Sequence, residues 1–179
     1  MVFGKEVFEQ TFTTSGSITF PATMYALTVI VVGAGGDGGG ANAYSKDAWW
    51  TGAGGASGGL SRRDYTAEEI ADLKGKTVSF TVGTHGGGFS KFLNQIANGG
   101  QNGAYNNMGS ANSSRAAGGT ASGGNTQNIT GNPGGPGGNY SSEGSPGESL
   151  WNGYGKGGKG GFPSGSNGED GCVYIAYYY

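Results

Sequence analysis

The residues of this 179-residue chain that could do chemistry are few and far apart. Gly33, Ala34, Gly35, Gly36, Asp37 and Gly38 fit G-x-G-x-x-G directly after an apolar run, a pattern that lets backbone approach a dinucleotide pyrophosphate at a helix N-terminus. That chemistry requires a helix next. GGANAYSKDAWWTGAGG follows instead, and no βαβ unit surrounds it. His85 is the one histidine and Cys172 the one cysteine, and no spacing ties either to a base or an orienting acid, as nucleophilic catalysis demands. His85 reads as a turn residue in THGGG, and Cys172 falls in an expected strand. Asp37 and the Glu169–Asp170 pair stand beside glycines, but calcium-binding Gly-Asp repeats place an Asp in each successive nonapeptide. This chain does not, so these read as solvated loop acids. Glu68 and Glu69 point in different directions on a helix. Sequons at Asn112, Asn128 and Asn139 are expected by chance in an Asn/Ser/Thr-rich chain. The expectation is no enzyme, no cofactor and no metal.

What remains is recognition chemistry. Tyr44, Trp49 and Trp50 lie in one glycine-rich excursion, and Tyr105, Tyr140, Trp151, Tyr154 and Phe162 lie in another, among almost no other large side chains. Tyr and Trp supply rigid amphipathic contact area that suits sugars or protein loops. The competing reading is that Trp151 or Phe162 seals the glycine layer against a β-rich base. Trp49 and Trp50 are neighbours that cannot easily both bury, and Ser45, Lys46 and Asp47 precede them. Which aromatics share one tip is not legible at this level.

Composition restricts the framework that positions them. The chain has 42 Gly and 5 Pro, while Leu, Ile, Val and Phe make up only 27 of its 179 residues, too few for a large α/β core. Net charge is −2 with 12% charged residues, so charge repulsion does not hold the chain open. The glycines lack the strict Gly-X-Y register of collagen. One cysteine excludes an internal disulfide scaffold. No basic cluster suits nucleic acid, no run of 18 apolar residues suits membrane insertion, and MVFGKEVFEQ does not read as a secretory leader.

The apolar residues are concentrated at both chain ends and in a middle block. Residues 7–13 and 17–20 alternate so that Phe8, Phe12, Ile18 and Phe20 share a face, which reads as an opening hairpin turning at Thr14, Ser15 and Gly16. Residues 25–32 form a β-branched run typical of a central strand. Residues 77–82 alternate with Val78, Phe80 and Val82 inward, and 172–179 close the set as a strand that would leave an aggregation-prone edge. Phe89, Phe92, Leu93 and Ile96 add a shorter element. A single helix is expected near 66–74, with Thr66 and Glu69 as a capping box, Ile70 and Leu73 docking it, and Gly75 at its end. The fold class expected is mainly β: a small sandwich-like base of about five or six strands from 1–35, 60–97 and 171–179, in one domain spanning 1–179. It carries a glycine-rich lobe from 36–59 and 98–170. The last of these cannot build a side-chain core, and either packs through its backbone in three-residue polyproline-II-type turns or is a flexible Gly/Ser-type linker.

Three segments in order, LTVIVVGAGGDGGG at 27–40, TVSFTVGTHGGGFSKF with ANGGQNG at 77–103, and GKGGKGGFPSGSNGEDGCVYIAYYY at 155–179, resemble the glycine-rich domain of bacteriophage tail-fibre and tail-tip proteins. The resemblance implies a β-rich base carrying a polyglycine-II helix bundle whose loop tips bind a bacterial surface protein or polysaccharide. It also implies a virion location, contacts with other tail proteins and a homotrimer. The receptor-binding residues expected are Tyr44, Trp49, Trp50, Tyr105, Tyr140, Trp151 and Tyr154. The alternatives are a structural virion or tail-assembly protein with its aromatics buried between subunits, and an ice-binding surface, against which stands the lack of a regular Thr or Ala ladder.

Overall fold

The apolar blocks assemble two antiparallel five-stranded sheets facing each other. The fold is taken from a computed structural model that describes residues 6–45, 48–107, 114–138 and 142–179. The chain order is β1 (Val7–Phe12), β2 (Gly16–Thr19), β3 (Ala26–Val32), β4 (Ala43–Ser45), β5 (Ala48–Trp49), β6 (Leu60–Asp64), α1 (Ala67–Leu73), β7 (Thr77–Thr81), β8 (Ser90–Phe92), β9 (Gln95–Ala97), β10 (Ala121–Ser122), β11 (Gln127–Ile129) and β12 (Cys172–Tyr178). The first sheet runs β1-β12-β3-β6-β11 and the second β10-β9-β8-β7-β2, while β4 and β5 form a separate hairpin. Among the described residues the base is therefore a mainly β, sandwich-like structure with one short helix, its two sheets holding ten strands rather than five or six.

Strand alternation works as the period of two requires. Leu27, Val29 and Val31 from β3, with Val173, Ile175 and Tyr177 from β12, meet Ile18, Val78, Phe80 and Phe92 of the second sheet in one buried cluster. Phe8 stacks on Tyr177 at 4.7 Å between ring centroids, and Phe20 meets Phe92 edge-on at 6.4 Å. The β3 run is the centre of its sheet, as its β-branched sequence indicates. The helix has both halves of its capping box, Thr66 Oγ1 accepting from the Glu69 N–H and the Glu69 carboxylate accepting from the Thr66 N–H. Ile70 and Leu73 are its buried residues, and Gly75 follows at φ +72°. Arg63 pairs with Glu69 and lies 5.4 Å from the Tyr65 ring centre, joining β6 to the helix.

Three expectations are corrected by the pairing. Residues 7–13 and 17–20 do not form a hairpin: β1 pairs with β12 and β2 with β7, so the turn at 14–16 passes the chain from one sheet to the other. Alternation identifies a strand's core-facing side but not its neighbour, and Ile18 and Phe20 are buried with Phe8 and Phe12 packed half-buried against the same cluster. The terminal strand is not an edge, because β1 covers one side of β12 and β3 the other. Within the segment 98–170 assigned to the lobe, β10 and β11 return to the base and extend both sheets. The Phe89–Ile96 element is the β8–β9 hairpin, in which Phe92 is buried while Phe89 and Leu93 face solvent.

Beyond the sheets the glycine-rich segments bond to one another with a repeat of three residues. The N–H groups of Gly33, Gly36 and Gly39 reach the carbonyls of Gly59, Ala56 and Ala53. From 51–59 the donors then rotate among three further neighbours: residues 51, 54 and 57 bond to 138, 135 and 132, residues 52, 55 and 58 to 161, 158 and 155, and residues 53, 56 and 59 to 104, 101 and 98. The carbonyls of the same stretch accept from Gly144, Gly147 and Gly119 as well. Every residue of 51–60 is buried, although 51–59 contains nothing larger than Thr51. A segment flanked by six others in this way satisfies its polar backbone without water and without a sheet ladder.

This packing tolerates no added Cβ at its central glycines. A methyl added at Gly55 would overlap the Gly36 carbonyl, whereas one at Gly75 meets nothing within 4 Å and carries only the strain of its positive φ. Gly75→Ala is expected to cost about 1 kcal/mol. Gly55→Ala, which requires rigid backbone to move, is expected to cost more than about 3 kcal/mol or to prevent folding. Urea unfolding followed by circular dichroism distinguishes the two.

Candidate functional site

The three-residue repeat determines where the lobe's turns lie. Residues 33–42 leave β3 and 51–59 return to β6, so the β4–β5 hairpin, which carries Tyr44 and Trp49, sits at the end away from the base. The same end receives other segments. Asn106 N–H donates to Gly40 O at 2.9 Å, Ala41 N–H to Pro163 O at 3.1 Å, and Thr51 N–H to Gly138 O at 2.8 Å. Buried polar side chains hold the turns together: Thr51 Oγ1 donates to Ser142 O (2.6 Å) and accepts from Gly138 N–H (3.1 Å), while Asn106 Nδ2 donates to Thr51 O (3.2 Å).

On this frame Trp50 is half-buried, and Tyr105 is 51% exposed with its hydroxyl donating to Asn42 Oδ1 at 2.6 Å. Phe162, 40% exposed, joins them beside a shallow groove of about 220 Å³ lined by Glu143, Lys159, Ser164 and Ser166, where Lys159 and Glu143 form an ion pair. Tyr140 lies outside the described residues. The structure thus brings the positions of Tyr44, Trp49, Trp50, Tyr105 and Phe162 to one end, which no local pattern could reveal.

Trp151 and Tyr154 belong elsewhere, which corrects their place among the tip residues. They lie in a turn at the base end, stacked on each other at 5.9 Å, with Trp151 also 5.3 Å from the Tyr174 ring. With Leu150 they cover Ile30, Val32, Leu60 and Cys172 on the outer face of the first sheet. Trp151 packs on the sheet's outer face, in a turn that follows the return of the chain at 144–147 along 52–55. Beside Trp151 a groove of about 320 Å³ opens, lined by Thr28, Arg62, Tyr174 and Tyr178 among others. Sequence reading missed these residues. The signal was the alternation of Tyr174, Ala176 and Tyr178, large-small-large on one face of β12.

The catalytic patterns resolve into structural roles. The G-x-G-x-x-G amides are all engaged: Gly33, Ala34, Gly35, Gly36 and Gly38 donate to carbonyls of 59, 88, 169, 56 and 166, and Asp37 N–H to Asn102 Oδ1, leaving none to meet a phosphate. His85 Nδ1 lies 2.9 Å from Asp37 Oδ1, and the Asp170 carboxylate accepts from His85 N–H at 2.7 Å. The neighbour of His85 Nε2 is the Asn167 amide at 3.4 Å rather than a hydroxyl. The cluster fastens the 83–88 turn to the lobe. Burial pushes the Cys172 thiol up to about 12, so it stays protonated at neutral pH. Burial also pushes the Asp64 carboxyl up, but hydrogen bonds from Thr28 and Thr126 and the Arg62 charge outweigh this and hold it below its ordinary value.

Thr51→Val keeps the shape of the side chain and deletes its bonds to Gly138 and Ser142. It is expected to cost about 1–3 kcal/mol and to accelerate amide hydrogen exchange at 134–138 more than in the β-sheets. No protein-family model matches the chain, and no curated protein is significantly similar to it in sequence.

Proposed function

We propose that the chain is a phage tail-associated adhesin domain that binds a bacterial surface protein or polysaccharide through the aromatic end of its glycine-rich lobe. The supporting observation is the convergence of residues 41–45, 48–51, 105–106, 138, 142 and 161–163 on one end, held by Thr51 and Asn106, with Tyr105 and Phe162 exposed there. In this reading the lobe is a polyglycine-II-type bundle, which its three-residue bonding repeat supports. Loops fixed at both ends on a rigid frame lose little entropy when they meet a receptor, and aromatic side chains supply contact area with few rotamers to freeze. The base orients the lobe and offers the surface by which other virion proteins or further copies in a trimer would hold it.

The test is binding of fluorescently labelled protein to a broad panel of bacterial strains, beside a Trp50→Ala/Tyr105→Ala variant whose circular dichroism is unchanged. Strain-selective binding is expected, reduced about tenfold or more in the variant. A folded wild type that binds no strain, with a variant impaired in assembly instead, would replace this reading with that of a structural virion protein.

A further inference from the structure

The outer face of the first sheet has a relief that its core does not require. On β12 the outward positions are Tyr174, Ala176 and Tyr178. In register, Ala176 lies between Glu9 of β1 and Thr28 of β3, and Thr28 lies beside Asp64 of β6. The small side chains of Ala176 and Thr28 therefore lie between two tyrosines that stand four residues, roughly 13 Å, apart along one strand. Trp151, 5.3 Å from the Tyr174 ring, raises one wall, and Tyr25, 6.1 Å from the Tyr178 ring, extends the other. The open groove of about 320 Å³ is at the lower end of small-ligand sites, suited to one or two sugar rings rather than a folded partner.

The polar groups are mixed in sign and incompletely engaged. Arg62 lines the groove with its Nε buried and lacking a hydrogen-bond partner, and its nearest Nη stands 3.6 Å from Asp64. The Nε is shielded from the groove, but the Arg62 side chain as a whole is 40% exposed, and an oxygen-rich ligand would meet its exposed part. Thr28 Oγ1 donates to Asp64 at 2.7 Å. The Asp64 carboxylate beside the Arg62 guanidinium offsets its charge and disfavours an anion. Aromatic walls with donors and acceptors between them match a molecule with apolar C–H faces and neutral hydroxyls.

The geometry points to a second binding site here, on the base rather than at the lobe's aromatic end, that takes a neutral saccharide of one or two pyranose rings stacked on Tyr174, Tyr178 and Trp151 with Arg62 donating to its oxygens. It is independent of the adhesin reading, because the residues and the end of the molecule differ.

The test is a titration of the full chain with D-galactose, D-glucose, N-acetylglucosamine, maltose and cellobiose, and with D-galacturonate for charge, read by Trp fluorescence and two-dimensional amide and indole NMR. A saturable, millimolar response to at least one neutral sugar is expected, with shifts confined to 26–30, 62, 151 and 174–178. Tyr178→Ala removes a wall, and Ala176→Leu fills the floor without deleting a contact. Each is expected to weaken that response about tenfold or more, while Trp50→Ala/Tyr105→Ala leaves it unchanged. Absence of a saturable response to every neutral sugar, equal binding by both groove variants, or preference for galacturonate over galactose would overturn the proposal. So would shifts at the same residues driven by protein concentration alone, which would make the groove an interface between copies.

Discussion

The absence of Cβ atoms at the glycines of 33–40 and 51–59 is the constraint on which the rest depends. Backbone carbonyls lie where side chains would otherwise begin: a methyl at Gly36 would meet the Gln101 carbonyl, at Gly55 that of Gly36, and at Gly157 that of Gly55. Segments can then approach closely enough for every amide of 51–59 to bond to a neighbouring segment. A chain with few apolar residues cannot bury its middle by the hydrophobic effect. This one buries it by removing side chains and satisfying the backbone, with Cα–H contacts a secondary contribution.

Such a lobe needs a boundary condition, and the sandwich supplies it. Loose glycine-rich chain would carry a large ordering cost. Here 33–42 continues directly from β3, 51–59 leads into β6, 98–106 follows β9, and 163–171 feeds β12, so paired strands fix where each segment starts or ends. The base contributes the conventional core of Phe20, Phe92, Val29, Val31 and Ile175. Its buried Gln95 is bonded through Nε2 to Val29 O and Ser61 O and through Oε1 to the Tyr65 hydroxyl, so a polar group lies inside the apolar layer without an unmet bond.

The two ends of the molecule consequently offer different surfaces. At the far end the frame is backbone, and side chains appear only where the turns leave it, as with Tyr105 and Phe162. At the base, side chains project from a pleated sheet, so a groove can form wherever small residues such as Ala176 and Thr28 align between large ones. The first surface changes by altering turns and the second by altering alternate strand positions. A single chain can therefore carry two recognition surfaces with little mutual strain.

Features set by neighbours in the chain were legible in the sequence: the alternation at 77–82, the β-branched run that became β3, the Thr66–Glu69 capping box and the backbone packing of the glycines. A further local signal went unused, the Gly-Gly-X triplets at 35–40, 134–139 and 157–162, whose spacing matches the hydrogen-bond repeat. Strand partners, the interior position of β12, the removal of Trp151 and Tyr154 from the aromatic end, and the gathering of the other turns were decided only by the tertiary structure. Periodicity states which way a side chain points relative to its own backbone. Which segment lies alongside depends on hydrogen bonds between residues as distant as Thr51 and Gly138, and glycines, lacking side chains, carry no mark of the partner they will meet.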